Sequence, residues 1–121
     1  MKFLAIDDSK LALAQIEHFI KGIFPGAEVI KVQNPMDGVD MGLKYAEELV
    51  FIVIDYNMES MTGLDIIDAL VPKIEPKKMA LYTANTQISI KNEADKRGVH
   101  FVSKGELQSQ LKDILSKIEV S

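Results

Sequence analysis

Five short apolar runs alternate along the chain with five stretches in which apolar residues recur every three or four positions. The runs span 2–7, 28–33, 50–55, 79–83 and 99–103. Phe3-Leu4-Ala5-Ile6 and Val50-Phe51-Ile52-Val53-Ile54 are continuous and rich in branched residues, the pattern of strands covered on both faces of a parallel sheet. After the first run, Ala12, Ile16, Phe19, Ile20 and Ile23 recur at helical spacing, which leaves Leu13 and Phe24 off the predicted core stripe. Asn34-Pro35 predicts an N-cap and first turn for a second helix carried by Val39, Leu43 and Ala46. Leu64, Ile67, Leu70 and Val71 predict a third, ended by Pro72. Residues 86–97 are polar, with only Ile90 and Ala94 placed to face a core, and Gly98 closes that helix. Leu107, Leu111, Ile114, Leu115 and Ile118 form the stripe of the last.

The alternation predicts (βα)₅, a single domain over 1–121 with a parallel sheet and helices on both faces. Composition fits an ordinary globular domain, with 47% hydrophobic and 26% charged residues. A net charge of −4 without a Lys/Arg block argues against direct nucleic-acid binding. No apolar stretch has the length of a membrane span, and the chain opens on a strand pattern, so neither a membrane nor a secretory route is expected. The absence of cysteine removes disulfides, thiolate catalysis and cysteine-held zinc. A cytoplasmic protein is the resulting expectation.

The chemistry sits at the ends of the runs. Asp7 and Asp8 follow the first and Asp55 closes the third, while Thr83 and Lys104 close the fourth and fifth. Ligands of open α/β sheets bind outside the carboxyl ends of the strands. Three carboxylates gathered there repel one another unless a hard cation joins them, and Mg²⁺ prefers such oxygen ligands. A cation, the Lys104 ammonium and the Thr83 hydroxyl together suit a phosphoryl group. A carboxylate beside Mg²⁺ can itself be the nucleophile, forming an acyl phosphate, and Asp55 is the best placed of the three. Taken singly, a strand-end Asp is a common N-cap, and a lone Thr or Lys carries little; joint placement is what counts. His18 and His100 stand apart from this set and are not assigned to it.

In combination, Ile6-Asp7-Asp8-Ser9, Ile54-Asp55-Tyr56-Asn57-Met58, Gly63, Tyr82-Thr83-Ala84 and Phe101-Val102-Ser103-Lys104 resemble the receiver domain of two-component response regulators over essentially the full length. The likeness is to single-domain, chemotaxis-regulator-like members. It implies a flavodoxin-like, doubly wound parallel sheet of strand order 2-1-3-4-5. It implies Asp55 as phosphoacceptor, Asp7 and Asp8 as the acidic metal pair, and the backbone carbonyl of Asn57 as a further Mg²⁺ ligand. Thr83 matches the hydroxyl that reorients toward the phosphoryl group, Lys104 the lysine that pairs with it, and Phe101 the aromatic whose rotamer follows. The implied partners are a histidine kinase or histidine phosphotransfer protein and a protein effector. Gly105 and Glu59 stand where the family commonly has proline, which predicts a trans, looser loop after Lys104 and an extra carboxylate near the site.

The implied role is a phosphorelay switch rather than an enzyme. A phosphate sink or relay intermediate without an effector surface shares every one of these residues. A Mg²⁺-dependent phosphatase with an aspartyl nucleophile, of the haloacid-dehalogenase type, ordinarily carries a second Asp two residues after the first; Asn57 stands there instead. A dinucleotide-binding enzyme lacks its glycine-rich turn after the first strand.

Overall fold

The computed structural model describes residues 1–84 and 87–118. Its strands are β1 (Lys2–Ile6), β2 (Glu28–Val32), β3 (Leu49–Asp55), β4 (Met79–Thr83) and β5 (His100–Ser103). The helices between and after them are α1 (Lys10–Ile23), α2 (Pro35–Lys44), α3 (Gly63–Leu70), α4 (Ile88–Arg97) and α5 (Leu107–Ser116). Single 3₁₀ turns precede β4 and α5. All strand pairs are parallel, in the order β2-β1-β3-β4-β5, so the flavodoxin-like topology expected from the sequence is the one formed.

Side chains alternate across the sheet because the strand period is two. Phe3, Ala5, Phe51, Val53, Ala80, Tyr82 and Val102 face α1 and α5. Leu4, Ile6, Ile52, Ile54, Met79 and Leu81 face α2, α3 and α4. Both faces of the central strands β1, β3 and β4 are covered, which is why these strands read as unbroken apolar runs rather than alternating ones.

The helix stripes need three corrections. Leu13, expected off the stripe, is 3% exposed and packs in the α1/α5 core, and Phe24 stacks on Phe3 at 5.7 Å between ring centroids. The buried face of α1 runs through Leu13, Ile16 and Ile20; the smaller Ala12 sits at its margin. In α2, Leu43 is exposed and Ala46 lies beyond the helix end. The face turned to the sheet holds Gly38, Val39 and Gly42 instead. A Cβ at Gly38 would lie 2.7 Å from Ile6 Cδ1, and one at Gly42 2.7 Å from Leu70 Cδ2. Glycine there admits a neighbour's bulk. In α3, Ile66 is fully buried although the predicted stripe omits it, and Val71 is exposed beyond the last turn.

Other expectations are met. Asn34 caps α2 by accepting from the backbone N–H of Met36 and Asp37. Ile90 and Ala94 are the buried residues of α4, and Gly98 closes it in the left-handed region at φ 75°. Leu107, Leu111 and Leu115 bury the stripe of α5, with Ile114 and Ile118 packed at its edge.

Candidate functional site

Parallel strands place their C-terminal ends at one pole of the sheet. Asp7 continues β1 and its N–H donates to Val32 of the neighbouring strand at 3.1 Å. Asp55 ends β3, paired in register with Tyr82 of β4. The chain then turns: the Tyr56 N–H donates to the Tyr82 carbonyl, and the Gly63 N–H returns to the Tyr56 carbonyl, each at 3.0 Å. Gly63 presses on the acceptor strand so closely that a Cβ there would lie 2.5 Å from the Asp55 carbonyl oxygen. No side chain fits, which accounts for glycine at that position.

These placements bring Asp7, Asp8 and Asp55 together, with one carboxylate oxygen from each within 4.8 Å of the others. Asp7 and Asp55 are buried while Asp8 is exposed, so the cluster opens to solvent on one side. Lys104 bridges the two buried carboxylates, its Nζ 3.2 Å from Asp55 Oδ1 and 3.6 Å from Asp7 Oδ2. The Asn57 N–H donates to Asp55 Oδ1 at 3.4 Å, and the Ser9 N–H to Asp7 Oδ1 at 2.8 Å. Tyr82 donates its hydroxyl to Asp7 Oδ2.

Burial makes the charged forms costly. It pushes the Asp7 carboxyl up to about 6, with Asp55 and Asp8 adding to the rise and the Ser9 N–H and Lys104 opposing it. Asp55 is raised for the same first reason, and Lys104 is the main influence pulling it down. An oxygen-lined pocket whose anions are under-compensated is the donor set that a hard divalent cation takes. A cation held there would sit beside the Asp55 carboxylate and could activate it as a nucleophile.

Thr83 is fully buried at the end of β4, opposite Ser103 of β5. Phe101 lies two pairs back, opposite Leu81, partly buried on the α2/α3/α4 layer. Thr83 belongs to that same layer by strand parity. Of the two departures noted in the sequence, Glu59 is exposed and outside the acidic cluster, and no cis peptide occurs among the described residues. Gly105 sits in the 3₁₀ turn Lys104–Glu106. Tyr56 packs on the core layer as a loop aromatic.

Sequence reasoning missed Tyr82 as a member of the site. Within an apolar strand it reads as core, and it is core as well. The available signal was parity: Phe3-Ala5-Asp7, Phe51-Val53-Asp55 and Ala80-Tyr82 each step by two along one face of the sheet. His18 is exposed on α1, and the His100 ring bonds the Lys77 carbonyl at the opposite pole, so neither joins the site. A broad groove at that pole is lined by Glu48, Lys77, His100, Asp113 and Lys117, away from the acidic cluster.

No protein-family model matches the chain, and no curated protein does. Solved structures match it over nearly its whole length. Chemotaxis protein CheY4 of Vibrio cholerae superimposes with a TM-score of 0.81 at 22% identity, covering 98% of each chain. The chain has the receiver-domain fold. A chain of the CheX–CheY–BeF₃–Mg complex of Borrelia burgdorferi gives 0.83 at 14% identity, covering 100% of this chain and 90% of that one. A Burkholderia pseudomallei response regulator with a phosphorylated aspartic acid, a calcium ion and citrate gives 0.78 at 21% identity, covering 98% of this chain and 66% of that one.

Proposed function

We propose that this chain is a phosphorylation-dependent signalling switch of a two-component phosphorelay, with Asp55 as phosphoacceptor and Mg²⁺ as cofactor. The observation that carries the reading is the acidic cluster of Asp7, Asp8 and Asp55, with Lys104 bridging its two buried members. Asp7, Asp8, Asp55 and the Asn57 backbone carbonyl would hold the cation. Bound there, it would offset negative charge on the transferring phosphoryl oxygens. The likeness to receiver domains, among them one bearing a phosphorylated aspartate and one in a complex containing BeF₃ and Mg, supports the same reading.

The phosphoryl donor is a phosphohistidine of a histidine kinase or histidine phosphotransfer protein. Asp55 attacks phosphorus; the new P–O bond replaces a P–N bond, and the histidine nitrogen leaves with the electron pair. Lys104 then pairs with a phosphoryl oxygen, a charge-assisted contact that replaces its bond to Asp55. Thr83 turns its hydroxyl to the same group, and Phe101, on the same layer of the sheet, follows. The altered surface of α4, β5 and α5 is what a protein effector reads. No helix among the described residues is long and apolar enough to cross a membrane.

Incubation with Mg²⁺ and a small acyl phosphate should add the mass of one phosphoryl group. The label should be released by hydroxylamine and be absent from Asp55→Asn. Label on His18 or His100, or label that persists in Asp55→Asn, would overturn the reading.

A further inference from the structure

Tyr82 is a buried phenol that the proposed chemistry leaves unused. It is 1% exposed, and its ring packs within the α1/α5 core. A buried phenolic hydroxyl needs a hydrogen-bond partner. Here that partner is Asp7, which accepts at Oδ2. The other oxygen of Asp7 accepts the Ser9 N–H at 2.8 Å, and Ser9 is the N-cap of α1. Asp7 is therefore held at both oxygens by donors that cannot wander, one anchored in a helix start and one in the core. A carboxylate offers about four lone-pair sites; Oδ1 keeps one free for a cation or its water, and Oδ2 gains one when Lys104 turns away.

Lys104 is the third partner of Asp7 and differs in kind. Its Nζ is 3.6 Å from Asp7 Oδ2, but it is shared with Asp55 at 3.2 Å and lies 4.9 Å from the Tyr82 ring centroid. Its side chain is 34% exposed and unbranched, free to follow an incoming anion. A lysine that turns to a phosphoryl oxygen withdraws from Asp7. The Tyr82 ring, packed against its layer, stays.

We infer that Tyr82 is a positioning residue: its hydroxyl fixes the Asp7 carboxylate as a ligand for the divalent cation, whichever way Lys104 points. This rests on the reading of the acidic cluster as a Mg²⁺ site. Hydrogen bonds to ligating groups commonly govern metal affinity by 10–100-fold.

The test is calorimetric titration of the full chain with Mg²⁺. Tyr82→Phe keeps the ring and its packing and should weaken binding about tenfold or more. Because Tyr82 acts through Asp7, the same substitution placed on Asp7→Ala should change Mg²⁺ affinity no further. A spectroscopic reading is independent of the variant's folding. The chain has no tryptophan and three tyrosines, so a Mg²⁺-induced near-ultraviolet difference spectrum reports tyrosine. It should persist in Tyr56→Phe. Equal affinity in wild type and Tyr82→Phe would overturn the inference, as would the same loss on both backgrounds or a difference spectrum that vanishes in Tyr56→Phe. Wild type that binds no Mg²⁺ would overturn the cation site together with this inference. Normal wild-type binding with an unaffected Tyr82→Phe overturns this inference alone.

Discussion

Helices α3 and α4 lie on the same layer of the sheet and are held there by different means. Four of the eight residues of α3 are buried, among them Ile66, Ile67 and Leu70 at 0% exposure. Its start is closed by a capping box in which Thr62 and Asp65 each accept the other's backbone N–H. Only two of the ten residues of α4 are buried, no side chain among the described residues makes a capping hydrogen bond at its start, and Ile88 in its first turn is 74% exposed. Its far end is secured by Gly98 and by Arg97, whose guanidinium makes a two-pronged bond to Asp68 of α3 at 2.7 and 3.0 Å. The core sets the position of α3. For α4 two buried side chains, Ile90 and Ala94, share that work with the contacts at its far end, so α4 is the less costly part of this layer to displace.

The largest effect that would separate the two helices is a core truncation. Leu70→Ala should cost about 2–5 kcal/mol, because it removes contacts to both the sheet and Gly42. Ile90→Ala in α4 should cost clearly less, since that side chain is 6% exposed on a sparsely packed helix. Urea denaturation of both variants measures the gap, and equal losses would erase the distinction.

Next in size is a pH effect that belongs to the acidic pole and should be indifferent to either helix. Asp7 ionises near 6 in the fold against an ordinary 3.8. The folded state thus binds its proton more tightly than the unfolded chain does. Metal-free stability should be fullest below about pH 4 on this account and decline as pH rises through about 6, by roughly 2–3 kcal/mol. Asp55, shifted in the same direction, adds to the slope. Saturating Mg²⁺ should flatten it by compensating the ionised carboxylates. Denaturant midpoints across pH, with and without Mg²⁺, decide the matter; a metal-free midpoint that climbs from pH 4 to 7 would contradict it.

The smallest effect sharpens the comparison most. Arg97→Ala should lower global stability by about 1 kcal/mol or less, because Asp68 is half exposed and the pair is screened. Amide hydrogen exchange should nevertheless quicken through α4 and leave α3 unchanged. Uniform quickening in both helices would mean that α4 is held by its buried face after all.

The two helices also show where sequence was informative. The sparse stripe of α4 was legible because polarity is a local property: Ile90 and Ala94 were its only plausible core positions, and both are buried. Asp7, Asp8 and Asp55 were legible because buried parallel strands stop sharply, and a carboxylate after such a stop has one pole to occupy. What escaped is non-local. Gly38 and Gly42 are weak helix residues until Ile6 and Leu70 are known to fill the space over them. Ala12 and Leu13 lie about 100° apart around the helix, on either side of Ile16, and only the position of α1 on the sheet selects between them. Tyr82 meets Asp7 through the pairing of β1, β3 and β4, which no single segment encodes.

The anchoring of α4 at Arg97 has a geometric consequence. Ten helical residues span about 15 Å, so the helix would act as a lever with its fulcrum at the C-terminal end and its tip at Ile88. A swing of about 10° around that fulcrum carries the tip roughly 2–3 Å, at the rise per residue of an α-helix, while the Arg97–Asp68 contact hardly shifts. A rearrangement of bond length at the strand ends would thereby become a displacement of side-chain size at the surface.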